Sequence, residues 1–233
     1  ISGAGSDILF NLINYLECLL ESTGRLNVTD SDSLIALYNV DNLDNAYWTG
    51  SYMVFGNGAT QFTPLVSPDV VGHELTHALV QTCGGLTYQG ESGALNESFA
   101  DCFGTAYEFF LYHKYNDDKD PLNDIQGVPD WYLRNLEDPL MSSQPKQYRG
   151  HFWIDPTSLQ DNGGVHYNSG VTNHLFYLVS KEITVPYAIE LWYRVLKRLT
   201  PNATLRDFSG VILKVCNVEH QVIVMNQLVK VLL

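Results

Sequence analysis

The sequence lacks the features that mark a membrane-spanning or nucleic-acid-binding protein. No run of about 18 apolar residues is present, so no membrane span is predicted. The first residues carry neither a basic start nor an apolar signal core, so we expect any targeting sequence to have been removed or to lie upstream. Positive charge is scarce: 13 Lys and Arg residues face 26 Asp and Glu residues, which gives a formal net charge of −13. This balance disfavours binding to nucleic acid or to an anionic membrane, and it suits calcium sites.

Cysteine is also sparse, and its spacing excludes one class of metal site. The four cysteines form no CxxC pair, so a cysteine zinc site is not predicted. An even number permits two disulfides or four buried thiols, and the spacing does not give connectivity. The cysteines are Cys18, Cys83, Cys102 and Cys216.

The composition is that of a globular protein, with 45% apolar and 17% charged residues. Strands are predicted over 33–40 and 46–56, and polar loops over 116–130 and 137–164. Ser92 is expected to cap its helix. A mixed front part followed by a mainly helical back part indicates an α+β fold. Apolar residues at helical spacing predict helices over 7–22, 69–82, 92–115, 167–181, 185–199, 204–216 and 219–232.

The segment His73-Glu74-Leu75-Thr76-His77 is an HExxH motif on a predicted helix. Residues four apart lie on one helix face, so His73 and His77 can bind one metal ion. Three protein ligands with an open position are typical of catalytic zinc, and Glu74 beside the first ligand can act as a base. The motif also arises by chance in helices. Here apolar flanking residues predict a buried helix, whose polar side chains need a compensating partner such as zinc.

A third ligand is predicted on the following helix. Glu97 lies in the segment GALNESFAD, and a short connection would place this helix antiparallel to the first. Asp101 follows Glu97 by four residues and can accept a hydrogen bond from a ligand histidine, which fixes the tautomer of that histidine. The alternative, two solvated helix acids, fits poorly because Leu95, Phe99 and Phe103 predict a buried helix.

Together these segments resemble the thermolysin-like family of zinc endopeptidases, the gluzincins. The resemblance rests on HELTH, on the 19 residues between His77 and Glu97, and on the segment GALNESFADCFGT. NAYWTGSYMVFGNG (45–58) is similar to the family's substrate-binding edge strand, and DNGGVHYNSG (161–170) is similar to its second catalytic motif. The blocks follow the family's order over residues 45–180.

The resemblance implies catalytic roles beyond the metal ligands. His166 is expected to donate a hydrogen bond to the oxyanion, with Asp161 orienting its ring, and Tyr88 is expected to be a second donor. Taken alone, His166 is more often an ordinary loop residue. The alternative for Tyr88, one of 14 tyrosines, is a packed aromatic side chain. Asn96 is implied as an outer partner of the metal ligands.

The resemblance also implies where a peptide binds. Arg134 matches a residue that binds the substrate backbone, although a surface salt bridge is the simpler interpretation. Asn45 and the backbone of Ala46 match positions that hold the substrate as an added strand, and Trp48 is expected to serve packing. A pocket beside the zinc would favour a bulky hydrophobic residue just after the cut bond. The candidates for this pocket, which are otherwise plain core residues, are Phe62, Leu65, Val70 and Leu133.

The calcium sites of the family are matched only in part. Asp69 and Glu108 match two carboxylates of one such site. The acids downstream, Asp117, Asp118 and Asp120, are rearranged. One calcium ion is therefore expected, and not the family's full complement.

These interpretations combine into a two-lobed zincin. Only 72 residues precede His73, so we expect the N-terminal lobe to be truncated and its sheet to be partly missing. Residues 1–84 are expected to form the mixed N-terminal lobe, which ends with the zinc-binding helix. Residues 85–233 are expected to form the mainly helical C-terminal lobe, and the two lobes form one catalytic domain.

The predicted activity is zinc-dependent hydrolysis of internal peptide bonds on the amino side of bulky hydrophobic residues, with Glu74 as general base and acid. Zinc and one calcium ion are the expected cofactors. By resemblance the protein is expected to be secreted and monomeric, to act on peptides or proteins, and to be inhibited by its own propeptide. Secretion favours at least one disulfide. Two alternatives stay open: a zinc-bearing peptide binder that does not cut, and a zinc hydrolase of small molecules.

Overall fold

A computed structural model describes residues 3–31, 33–60, 64–115 and 134–232 of the chain. The strands are β1 (Ala36–Val40), β2 (Ala46–Trp48) and β3 (Met53–Gly56). Short 3₁₀ turns cover Pro139–Ser142 and Val218–His220. The predicted helices are confirmed, with shifted ends. They are α1 (Ala4–Thr23), α2 (Pro68–Cys83), α3 (Gly90–Tyr115), α4 (Asp161–Glu182), α5 (Val185–Leu196), α6 (Leu205–Val215) and α7 (Gln221–Leu232).

The front of the chain forms a three-stranded sheet in the order β1-β3-β2. β1 is parallel to β3, and β2 is antiparallel to it. The prediction of a single strand over 46–56 is wrong, because residues 49–52 form a turn that divides this segment into the two strands of a hairpin. Thr49 N–H donates to the Tyr52 carbonyl at 2.9 Å. Gly50 takes a φ of 96°, a conformation that glycine adopts without strain.

The helices α2 and α3 pack with their backbones in close contact. A Cβ atom at Gly72 would lie 3.1 Å from the Cα atom of Gly104. A Cβ atom at Gly104 would lie 2.7 Å from the carbonyl oxygen of Asp69. Glycine at these positions lets the two helices approach each other. The approach brings His73, on α2, close to the buried acids of α3.

Nearly all of α3 from Gly90 to Tyr107 is buried. The helix packs between α2 and α4 and also contacts α5 and α6. The prediction of Ser92 as a cap is wrong, because the helix begins two residues earlier, at Gly90. The Ser92 hydroxyl instead donates to the carbonyls of Thr87 and Gln89, at 2.8 and 2.9 Å. A helix buried on this scale must find partners for its polar side chains.

The expected disulfide is absent, because all four cysteines are free thiols. Three of the thiols contact polar side chains and not another cysteine. Cys102 lies 3.8 Å from Asn173 Oδ1, and Cys216 lies 3.8 Å from the Tyr187 hydroxyl. Cys83, at the end of α2, is half-buried beside the Arg25 guanidinium, at 3.5 Å. Burial raises the pKa of the Cys18 thiol to about 12, so this thiol is neutral at physiological pH.

The back part of the chain, α4 to α7, is helical, which confirms the predicted α+β fold with a mixed front and a mainly helical back. α4 contacts α3, α5 and α7, and α6 contacts α5 and α7. α6 begins at a capping box, in which the hydroxyl of Thr204 and the carboxylate of Asp207 each accept a backbone N–H of the other residue. Among the described helices, none has the length and apolar character needed to cross a membrane.

Candidate active site

Three side chains from α2 and α3 converge on one point. His73 and His77 lie one turn apart on α2, and Glu97 lies on α3. The Nε2 atoms of the two histidines are 3.0 Å apart. Glu97 Oε2 lies 3.6 Å from His73 Nε2, and Glu97 Oε1 lies 3.5 Å from His77 Nε2. One ligand atom from each residue lies within 4.8 Å of the others, so the set can hold a metal ion.

Both ligand histidines are oriented by hydrogen bonds through their other ring nitrogen. His73 Nδ1 lies 3.0 Å from Asp101 Oδ1, and His77 Nδ1 lies 2.8 Å from Asn96 Oδ1. Asp101 is itself held by Asn173, on α4, whose Nδ2 donates at 2.8 Å. With Nδ1 engaged as a donor, each neutral ring presents an unprotonated Nε2 to the centre, which is the form that binds a metal.

The charges at the centre shift the pKa values of its members in opposite directions. Burial lowers the pKa of His73, but the hydrogen bond to Asp101 and the charge of Glu97 outweigh burial and raise this pKa to about 9. Burial raises the pKa of Glu97, but His77, His73 and Arg134 outweigh it and lower this pKa to about 2. The pKa of Asp101 is also lowered, because Arg134 and His73 together outweigh burial. Both carboxylates are therefore ionised at neutral pH and favour a cation at the centre.

Glu74 is a buried carboxylate beside the first ligand, with 5% of its surface exposed. Its Oε2 atom is buried and has no hydrogen-bond partner in the described part of the chain. Such an orphaned acceptor costs free energy unless a ligand or a water satisfies it. The donor set of two histidines and a glutamate, with a free carboxylate next to it, fits a catalytic zinc ion.

Tyr88 and His166 reach the same centre from outside α2. The Tyr88 hydroxyl donates to Glu97 Oε1 and lies 3.1 Å from His166 Nε2. His166 Nε2 lies 3.4 Å from Glu97 Oε1. Asp161 holds His166 with both oxygens: Oδ1 lies 2.6 Å from Nδ1, and Oδ2 accepts the backbone N–H at 2.8 Å. Burial, and then the charge of Glu97, raise the pKa of Tyr88, so its hydroxyl stays protonated as a donor.

A left-handed turn at the start of α4 places Asp161. The φ angles of Asp161, Asn162, Gly163 and Gly164 are 49°, 50°, 81° and 78°. A Cβ atom at Gly163 would lie 2.3 Å from the Pro156 carbonyl oxygen, so a side chain has no room there. The predicted loop over 137–164 is therefore ordered at its end, and the run Asp-Asn-Gly-Gly was the local signal for a left-handed conformation.

Two models of known protein families match this chain. A family model described as the thermolysin metallopeptidase alpha-helical domain matches residues 84–223. A second, described as the thermolysin metallopeptidase catalytic domain, matches residues 7–81. The chain belongs to the thermolysin family of metallopeptidases. This confirms the family resemblance of the sequence motifs.

Individual members of the thermolysin family are similar over most of the chain. Thermolysin of Alicyclobacillus acidocaldarius is 43% identical over 164 residues, which cover 68% of this chain and 29% of that protein. The neutral protease NprE of Bacillus pumilus is 37% identical over 174 residues, which cover 73% of this chain and 55% of that protein. The chain thus spans 29% of the length of the thermolysin that it matches. The structure of a protealysin precursor, a metalloproteinase from Serratia proteamaculans, superposes with a TM-score of 0.83 at 26% identity, covering 98% of this chain and 78% of that one.

Among the described residues, β2 is an edge strand of the sheet, and it lies beside α2. Asn45 O accepts from Gly56 N–H at 3.0 Å, and Tyr47 pairs with Val54 on β3. The alternation of an antiparallel strand then directs the peptide groups of Ala46 and Trp48 to the open edge. Ala46 N–H donates to Asn45 Oδ1 at 3.0 Å. Trp48 does more than pack, because its indole N–H donates to Gln81 Oε1 at 2.8 Å.

The other residues that were predicted to bind the substrate lie in different surroundings. Arg134 lies at the metal centre: its Nη1 donates to Asp101 at 2.8 Å, and its Nη2 lies 3.4 Å from Glu97 Oε2. Leu65 and Val70 are half-buried, and Val70 packs against the core. The remaining pocket candidates, Phe62 and Leu133, lie outside the described residues.

The predicted calcium ligands Asp69 and Glu108 are both exposed. Partial desolvation, and then the charge of Asp69, raise the pKa of Glu108 to about 7, so the two carboxylates interact. The downstream acids that were considered for the calcium site, Asp117, Asp118 and Asp120, lie outside the described residues.

Sequence interpretation missed two residues that support the site. Asn173 is fully buried on α4 and donates to Asp101. Gln144 is 3% exposed, and its Nε2 donates to the His166 carbonyl at 2.6 Å. A polar residue inside an apolar helical pattern was the available signal for Asn173, because buried amides need partners. The position of Gln144 in a polar loop carried no such signal.

Proposed function

We propose that this chain is the catalytic part of a zinc-dependent endopeptidase. The observation that carries the proposal is the buried, unpartnered Glu74 Oε2 beside the triad of His73, His77 and Glu97. A metal that served structure alone would call for a closed fourth ligand and no free carboxylate. Membership of a metallopeptidase family supports the same reading.

His73, His77 and Glu97 would hold the zinc ion. When bound, zinc supplies a Lewis acid that lowers the pKa of water toward about 7 and polarises a carbonyl group. Glu74 accepts a proton from the attacking water and later passes it to the leaving nitrogen. Glu74 suits this task because its free oxygen is shielded from bulk solvent.

Tyr88 and His166 stabilise the oxyanion that forms on the substrate carbonyl. The Tyr88 hydroxyl turns from Glu97 to the developing charge. His166 donates from Nε2 only when both ring nitrogens carry protons, since Nδ1 already donates to Asp161. The carboxylate of Asp161 holds His166 in place, with one oxygen on the ring and the other on the backbone N–H.

The substrate is an extended peptide with a bulky hydrophobic residue just after the cut bond. Its backbone pairs with the open edge of β2 at Asn45 and Ala46. Arg134 exchanges part of its ion pairing for the substrate carbonyl. The hydrophobic side chain enters a pocket beside the zinc, to which Leu65 and Val70 contribute.

We further propose an extracellular, monomeric protein that is inhibited by its own propeptide and binds one calcium ion. The likeness to a protealysin precursor supports the propeptide. The interaction of Asp69 with Glu108 supports the calcium ion.

The decisive assay is the cleavage of casein and of a hydrophobic peptide with and without a zinc chelator. Activity that is lost on chelation and restored by zinc supports the endopeptidase. Well-folded, zinc-loaded protein that binds the peptide without cutting it would favour the binder. Failure with both substrates and no peptide binding, together with turnover of small esters or amides, would favour the small-molecule hydrolase.

A further inference from the structure

Gln81 contacts the β2–β3 hairpin with both ends of its amide group. The indole N–H of Trp48 donates to Gln81 Oε1 at 2.8 Å, and Gln81 Nε2 donates to the Gly50 carbonyl at 3.2 Å. Trp48 is the last residue of β2, and Gly50 lies in the turn that follows. One side chain of α2 therefore holds both the end of the strand and the turn.

Gln81 stands on the face of α2 that carries the metal ligands. It follows His77 by four residues and His73 by eight, so the three side chains share one helix face. At a rise of about 1.5 Å per residue, Gln81 lies about 6 Å along the axis from His77. Because the helix is stiff over this length, the anchor of β2 keeps a fixed separation from the ligands.

Besides the Gln81 contacts, β2 is held by its pairing with β3 and by the packing of Ala46 and Trp48 against the core. The strand pairs with β3 through Ala46, Tyr47 and Trp48, with one further backbone hydrogen bond at each end, and its other edge is open among the described residues. That open edge carries the peptide groups of Ala46 and Trp48, to which an extended peptide would pair. The Gln81 contacts therefore tie the peptide-binding edge to the element that bears the ligands.

We propose that Gln81 is a positioning residue that sets the height of β2 over the metal centre, so that a peptide paired with this strand presents its scissile carbonyl to Glu74. The inference rests on the proposed endopeptidase function. A displacement of about 1 Å at a reacting centre can cost about 100-fold in rate. We expect a smaller effect, about 10-fold, because the β2–β3 pairing remains when Gln81 is removed.

The kinetic test uses Gln81→Met, which keeps the side-chain length and removes both polar groups. An extended hexapeptide that reaches along β2 is compared with a blocked Gly-Leu dipeptide amide that spans only the scissile bond. We expect kcat/KM to fall about 10-fold for the hexapeptide and less than about 2-fold for the dipeptide. The control Gln221→Met makes the same change on α7, which packs on α4 and α6, and keeps the parent rates for both peptides.

Two further variants separate the contacts of Gln81. Gln81→Glu keeps an acceptor for the Trp48 indole but loses the donor to the Gly50 carbonyl, so its hexapeptide rate should fall between the parent and Gln81→Met. Trp48→Phe keeps an aromatic ring and removes the indole N–H, so it should also lose hexapeptide rate selectively.

Hydrogen exchange gives a readout that does not depend on turnover. We expect the Trp48 indole N–H to exchange faster in Gln81→Met than in the parent and in Gln221→Met. Unchanged exchange with unchanged hexapeptide rates would overturn the inference, as would an equal loss for both peptides, which marks general destabilisation. If the parent cuts neither peptide, the endopeptidase proposal fails separately, and the exchange data alone decide whether Gln81 holds the strand.

Discussion

At the scale of single residues, both ligand histidines are held by a partner outside the metal cluster. Asp101 accepts from His73 Nδ1, and Asn96 accepts from His77 Nδ1. The Nε2 atoms are thereby left to face each other and Glu97. Orientation of this kind lowers the entropy that the side chains lose when a metal binds, so the outer residues contribute to affinity without touching the ion.

The substitution Asp101→Asn tests that contribution. We expect zinc affinity to fall by about 10- to 100-fold, because the negative partner of His73 is lost while the side-chain shape is kept. Competition with a chromophoric zinc chelator measures the change. Asp155→Asn is the matched control, since Asp155 is exposed and its carboxylate accepts the backbone N–H and the hydroxyl of Thr157 in the same turn. Equal zinc affinity in the parent and both variants would show that Asp101 does not support the site.

Sequence alone predicted the central residues because their spacing is local. The interval of four between His73 and His77 sets both on one helix face, and the structure brings Glu97 to the same point. The pairings of Asp101 with Arg134 and with Asn173 could not be predicted in this way. They join residues 33 and 72 positions apart, on elements whose relative placement depends on packing.

At the scale of elements, the contact between α2 and α3 determines whether the centre can form. Gly72 and Gly104 face each other where the helices cross. A Cβ atom at Gly104 would also lie 3.2 Å from the backbone nitrogen of His73. A side chain there would therefore push the helix of the two histidines away from Glu97.

The substitution Gly104→Ala should destabilise the fold by about 1–3 kcal/mol, because the added methyl group meets backbone atoms that cannot rotate away. Urea unfolding measures the change. Gly210→Ala is the control, since Gly210 lies within α6 and its Cβ would meet nothing within 4 Å. That change should stabilise by up to about 1 kcal/mol. Similar free energies of unfolding for both variants would contradict the close approach.

The helices were predictable as elements because their apolar periodicity extends over many residues. The hairpin within 46–56 and the turn at the start of α4 were not, because each depends on the conformation of single residues. Gly50, at a φ of 96°, lies in the turn that divides the segment 46–56 into two strands. Four successive positive φ angles, from Asp161 to Gly164, form the turn at the start of α4. Window-based patterns average over such positions.

At the scale of the whole molecule, acidic residues outnumber basic ones by 26 to 13, so the folded chain repels itself. Glu108 shows the effect locally: its pKa is raised from 4.5 to about 7, by partial desolvation and then by Asp69. The folded state therefore holds a proton that the unfolded state releases between these values. Stability from this group is lost as pH rises from about 4.5 to 7, and a bound cation would restore it.

In calcium-free buffer, the thermal midpoint of the parent should therefore decrease as the pH is raised from 5 to 7.5. The decrease should be smaller in Glu108→Gln. Added calcium at pH 7.5 should raise the midpoint of the parent more than that of the variant. Glu219→Gln removes the same charge from a site remote from Asp69 in sequence and should behave as the parent does. An equal response to calcium in all three proteins would argue against a calcium ion at Asp69 and Glu108. Because Glu108 is exposed, solvent screening keeps the expected shift small.

The general outline of the molecule followed from composition and motif order, and the family comparison confirms it. The disulfide expectation did not hold, because it was derived from the inferred location and not from the packing of the thiols. Burial of Cys18, Cys102 and Cys216 in the core depends on long-range contacts that no cysteine spacing encodes.

The central claim is that Glu74 moves the proton in a zinc-dependent cleavage. Zinc content and hexapeptide cleavage should be measured on the same samples of the parent and of Glu74→Gln, which keeps the shape and removes the base. We expect equal zinc stoichiometry and a fall in kcat of about 10²- to 10⁴-fold. Cleavage by zinc-loaded Glu74→Gln as fast as by the parent would contradict the mechanism.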